Sequence, residues 1–112
     1  MLPDVSVQTG YTVERCQSLA MGGIAVVANH ASVQGLSVRR NVIRDSNATG
    51  MYFGCHDGAS WIVSGLLVEG NYIRGVTAAN PQIGSGLQVK LNSSGIIRDN
   101  VVLDTKGPGI MV

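Results

Sequence analysis

"NVIRDSNATGMYFG", residues 41–54, decides the fold, because the chain writes the phrase again: "NYIRGVTAANPQIGSGLQV" from Asn71 and "NVVLDTKGPGIMV" from Asn100. Each copy opens on Asn and an apolar pair, passes through a polar turn, and resumes with Gly and an apolar run. Just upstream, "GLSVRRN", "GLLVEGN" and "GIIRDN" start at Gly35, Gly65 and Gly95, a period of thirty with one residue deleted before the third Asn. The Asn-to-Gly interval is nine residues for 41–50 and 100–109 but fifteen in the middle copy. The extra residues fall within "GVTAANPQIGSG" and read as a loop bulging from one corner. A fixed period of this length marks a solenoid, in which each copy buries its apolar side chains only by stacking on the next.

The composition agrees. Of 112 residues, enough for one domain over 1–112, 45% are apolar, 13% charged and 4% aromatic, and fifteen are Gly. The apolar residues are chiefly Val, Ile and Leu in pairs and alternations, the pattern of strands rather than of helices. A net charge of +1 with no basic run argues against nucleic acid. No apolar stretch reaches the length that spans a membrane as a helix. Cys16 and Cys55, the two cysteines, fit no zinc spacing and read as free, partly buried thiols.

Each copy holds about three short strands, and strands of successive copies pair at ~4.8 Å, so the expected fold is an all-β parallel solenoid of about four coils. Asn41, Asn71 and Asn100 then stack as a ladder, each side-chain amide bonding its own turn and the next Asn, with Asn chosen for its tolerance of left-handed backbone angles. Alternation points Ile24, Val26, Val38, Ile43, Met51, Phe53, Val68, Ile73, Leu87, Val89, Ile97, Val102 and Ile110 inward. It leaves one outer column of Ala25, Tyr52, Gln88 and Met111, and a second of Val27, Gly54 and Lys90. Gly23, Gly50, Gly86 and Gly109 head the strands behind these columns. Arg39, Glu69 and Arg98 stack as plus, minus, plus, and Glu14, Arg44 and Arg74 form another charged column; both read as solvated pairs that fix register.

The "N-apolar-I" and "GI-x-V" coils, from Thr12 to Val112, resemble the right-handed parallel β-helix proteins of the pectate-lyase-like superfamily. That resemblance implies an extracellular or periplasmic protein whose partner is an acidic or neutral polysaccharide. "GLQVKLNSSGIIRDN" looks like the lysine-bearing coil of the chondroitinase-B and alginate-lyase branch. The resemblance implies Lys90 as the base that removes the C5 proton of a uronate, with calcium on the carboxylate; the arginine expected about one rung on is replaced by Met111. No acidic cluster in the sequence itself calls for calcium or another metal.

The remaining candidates come from residue chemistry. His56 and Asp57 in "GCHDG" are the one His-Asp neighbour pair, able to serve as an oriented base or as a turn. His30 reads as a surface residue. Tyr52 and Trp61 are the aromatics suited to a sugar face, with Gln88 beside Tyr52 on the same outer sheet and the loop 77–85 edging the groove. Two readings remain open: a lyase- or epimerase-like carbohydrate-active coil, or a non-catalytic glycan-binding or structural solenoid such as a tailspike or adhesin segment. "GPGIMV" stops on a core strand, so further coils or end-to-end self-association are expected.

Overall fold

A computed structural model describes residues 7–29, 31–55, 60–78 and 80–112. Its strands are short because Gly, Asp and Asn punctuate the sequence. They are β1 (Val7–Thr9), β2 (Thr12–Glu14), β3 (Gln17–Leu19), β4 (Val26–Ala28), β5 (Ser32–Gln34), β6 (Ser37–Arg39), β7 (Val42–Arg44), β8 (Met51–Phe53), β9 (Val63–Glu69), β10 (Tyr72–Val76), β11 (Leu87–Val89), β12 (Ser93–Arg98), β13 (Val101–Thr105) and β14 (Ile110–Met111), with a 3-10 turn at Pro81–Ile83.

Every pair of these strands is parallel, and among the described residues each sheet is four rungs deep. The second sheet runs β13-β10-β7-β3 and the third β14-β11-β8-β4. In the first sheet β1 and β2 lie under β5 and β6, and the longer β9 and β12 each span both positions. The chain is thus a parallel β-solenoid, as the period requires.

Two corners turn on left-handed residues. Arg15, Arg40, Gly70 and Asp99 have φ of 55°, 55°, 65° and 56°, and Ala20, Asp45, Gly75 and Asp104 have 52°, 58°, 79° and 53°. The ladder asparagines are not among the positive-φ residues. The sequence expectation put the left-handed angle on the Asn, whereas it falls one residue earlier, and the Asn follows the bend with its side chain turned inward.

That side chain links rungs. Asn71 Oδ1 accepts from Asn41 N and Nδ2, both at 3.0 Å, and Asn100 Oδ1 accepts from Asn71 N and Nδ2, both at 2.9 Å. Each Nδ2 also donates to a carbonyl of the rung below: Asn41 to Val13, Asn71 to Val38, Asn100 to Val68. Cys16 holds the ladder position of the first rung, its N donating to Asn41 Oδ1 at 3.0 Å. The cysteines are free; Cys16 is exposed and Cys55 buried.

Val38, Ile43, Met51, Phe53, Val68, Ile73 and Leu87 fill the core as expected, joined by Val33, Leu36, Val63, Leu66 and Val76. Val26, Val89, Ile97 and Val102 pack against it half-buried. Two expected core residues differ. Ile110 pairs with Leu87 but is 48% exposed, because β14 lies on the outermost rung. Ile24 lines an outer groove instead.

The first coil explains the other differences. Cys16 to Asn41 is 25 residues, against 30 from Asn41 to Asn71. Counting by thirty therefore misplaces it. Glu14 pairs with Arg39, giving a column Glu14, Arg39, Glu69, Arg98, while Leu19 stands beside Arg44 and Arg74. Val27, not Ala25, stands under Tyr52, and Ala25 rather than Gly23 precedes the strand. At the other end Gly95 pairs with Leu66, so the deletion falls before Gly95. A Cβ there would collide with the Leu66 backbone.

Candidate functional site

The outer face of the third sheet carries the column Val27, Tyr52, Gln88, Met111. The inserted loop folds over it. Thr49 Oγ1 donates to the Ile83 carbonyl at 3.0 Å, Gly50 N to Ser85 O at 3.1 Å, and Gln82 N to Asn80 Oδ1 at 2.9 Å, which pins the 3-10 turn as a wall. Between wall and sheet lies a hollow of about 410 Å³ lined by Ile24, Asn29, Ala48, Thr49, Tyr52, Gln82, Ile83, Gln88 and Lys90.

Alternation correctly turns Tyr52 and Gln88 away from the core, yet both are buried, at 9% and 4% exposure. The loop and the neighbouring column cover what the pleat alone would expose. Gln88 Nε2 donates to Met111 Sδ at 3.4 Å. Lys90 is exposed, with its Nζ 5.7 Å from the centroid of the Tyr52 ring. The ring's negative face supports the ammonium, so Tyr52 acts as a seat for Lys90 more than as an open platform.

Lys90 also borders a second hollow of about 510 Å³, which Cys55, Leu91, Ser93 and Met111 share. Its carbonyl accepts from Ser93 Oγ, and its N donates to Phe53 O at 2.8 Å. A Cβ on Gly54, which has φ of 99°, would come within 2.8 Å of the Lys90 carbonyl. Glycine there lets the Lys90 strand pass close and sets the side chain at the junction of the two hollows.

Trp61 is elsewhere. It precedes β9 in the first sheet, half-buried, its carbonyl accepting from Cys55 Sγ at 2.6 Å. His56, Asp57 and His30 lie outside the described residues. Among the described residues no three His, Cys, Asp or Glu side chains gather. The described polar lining of the hollow (Asn29, Thr49, Gln82, Gln88) contains no carboxylate and sits beside an ammonium, a donor set that does not fit calcium. Among the described residues no helix is long and apolar enough to cross a membrane.

The charged columns lie on the other sheets. Arg39 meets Glu14 at 3.3 Å and Arg98 meets Glu69 at 2.7 Å. On the second sheet Arg44 lies 5.9 Å from the Tyr72 ring centroid, and Arg74 bonds Asp104 at 3.1 Å. Tyr72 and Asp104 hold the Arg74 guanidinium above even its ordinary basicity. These are exposed pairs of the kind that fix register between rungs.

The family model described as "Right handed beta helix region" matches residues 5–112. The chain belongs to this family. Comparison with curated proteins and with solved structures returned no match. The right hand of the β-helix comes from the family match, and the parallel rungs and stacked asparagines are its internal signature here.

Groove residues that sequence reading did not single out are Asn29, Ala48, Thr49, Gln82 and Ile83. The loop that supplies Gln82 and Ile83 was legible as an insertion. Thr49 could have been found from its place just before the strand-heading Gly50.

Proposed function

We propose that this β-helix binds an acidic polysaccharide along the outer face of its third sheet. One observation carries the reading: Lys90 presents its ammonium over the Tyr52 ring, between two hollows, in a groove whose described lining is otherwise amide, hydroxyl and apolar. A uronate carboxylate would pair with Lys90. Sugar hydroxyls would bond Asn29, Gln82 and the exposed edge of the wall, and the half-exposed Ile83 offers an apolar surface to a pyranose C–H face. The two hollows that meet at Lys90 suit a chain of sugars laid across the rungs rather than a single residue.

A lyase role for the same lysine is the second reading, favoured by its exposure at that junction. Lys90, as its neutral amine, would take the C5 proton of a bound uronate, the C4–O4 bond would break as the C4–C5 double bond forms, and the departing oxygen would take a proton from water, leaving an unsaturated product. Binding and turnover separate in one set of measurements. Lys90→Ala should weaken binding to alginate, pectate or chondroitin by about tenfold, the loss of one partly desolvated charge pair, with the unfolding midpoint unchanged because the side chain is exposed. Binding that is equal in parent and variant would overturn the assignment. Ultraviolet absorbance of an unsaturated product, formed by the parent and not by the variant, would establish the lyase.

A further inference from the structure

Each sheet has two open edges among the described residues. One is formed by β1, β2, β3 and β4, the other by β12, β13 and β14. A parallel stack has a direction, so a second body of this kind can extend it only by laying a first-rung edge on a fourth-rung edge. Whether the two edges suit each other is decided column by column.

The charged column alternates as Glu14, Arg39, Glu69, Arg98. Laying Glu14 of a second copy on Arg98 continues the alternation. One residue further, the left-handed corner ends on Arg15 at the first rung and Asp99 at the fourth, both exposed. Stacking brings these opposite charges together as well. On the second sheet Leu19 would lie on Leu103, both exposed in the single chain. Inward, Val13 would lie on Ile97 and Val26 on Ile110, which extends the apolar columns.

We propose that the chain stacks head to tail on a second copy of itself, with β1–β4 of one copy pairing with β12–β14 of the other. The contact is heterologous and does not close, so it builds an open stack whose length depends on concentration. One column breaks at the junction. Cys16 occupies the ladder position of the first rung and has no side-chain amide, so it cannot give Asn100 N the acceptor that Asn100 Oδ1 gives Asn71 N. The junction is therefore weaker than the rung contacts within one copy, and the stack is reversible.

Sedimentation of the 112-residue chain over a wide concentration range tests this, with circular dichroism to confirm that each variant keeps its β-sheet. The average mass of the parent should rise with concentration. Asp99→Arg and Arg15→Asp each put like charges at the junction and should each sediment as a monomer. An equimolar mixture of the two should associate again, since every junction between unlike variants regains an opposite-charge pair. Cys16→Asn should complete the ladder and lower the association midpoint about fivefold, the contribution of one added hydrogen bond. A parent that stays monomeric, single variants that associate as the parent does, or a mixture that fails to recover would each overturn the proposal.

Discussion

At the scale of single residues, the asparagine ladder and the left-handed corners govern stability in opposite ways. Asn71 sits mid-ladder, accepting from Asn41 and donating to Val38 and Asn100. Asn71→Ala leaves the buried Asn41 backbone N–H and one of its two amide hydrogens without an acceptor, the other staying on the Val13 carbonyl, which should cost about 2–3 kcal/mol in urea unfolding. Asn100→Ala should cost less, because its rung is half-exposed and water can replace the lost bond. The corners carry the reverse prospect. Ala20 holds φ of 52° on the exposed surface, where its Cβ opposes the conformation and contributes no packing. Ala20→Gly should raise stability by about 0.5–1 kcal/mol, the left-handed strain relieved less the entropy that glycine adds to the unfolded chain. A lower melting temperature for that variant would show that the corner is not strained. Periodicity alone identified Asn41, Asn71 and Asn100, but not Cys16, because a thiol at the ladder position leaves no compositional mark.

At the scale of elements, the third sheet depends on the glycines that head its strands. Gly50, Gly86 and Gly109 stack so closely that a Cβ on Gly86 would lie 2.7 Å from the Gly109 carbonyl and overlap the Val102 side chain. Gly86→Ala should therefore destabilise by about 1–3 kcal/mol through overpacking, read as a lower urea midpoint. It would also displace β11, which carries Gln88 and leads to Lys90, so binding should fall along with stability. The sequence motif "Gly, then apolar strand" named these three positions correctly and failed in the first coil, where Ala25 takes the place. The failure has a physical source. A strand is assigned by its hydrogen-bonded partner, and the first coil reaches that partner with five fewer residues than the next, because Ala28 to Val33 takes five residues where Phe53 to Val63 takes ten, so a count of thirty runs past the first rung.

At the scale of the whole molecule, each rung is stabilised by its neighbours, so position in the stack sets the cost of a cavity. Ile73→Ala on the third rung, fully buried between Ile43 and Val102, should cost about 2–5 kcal/mol. Val102→Ala on the half-exposed fourth rung should cost about 1 kcal/mol or less, and equal losses would argue that the last rung is as well packed as the interior. The far-ultraviolet spectrum should show strand without helix. What the sequence by itself determined was whatever repeats along the chain: the period, the parallel rungs, the ladder, and which side chains of each strand face inward. These follow from local backbone geometry and the need to bury one face, so they can be read from spacing. The tertiary structure alone decided the burial of Tyr52 and Gln88, the seat of Lys90 on an aromatic ring, and the pairing of Glu14 with Arg39. Each of these depends on how a loop or a shortened coil comes back over a neighbouring rung, and that return is fixed by pairing between segments far apart in sequence.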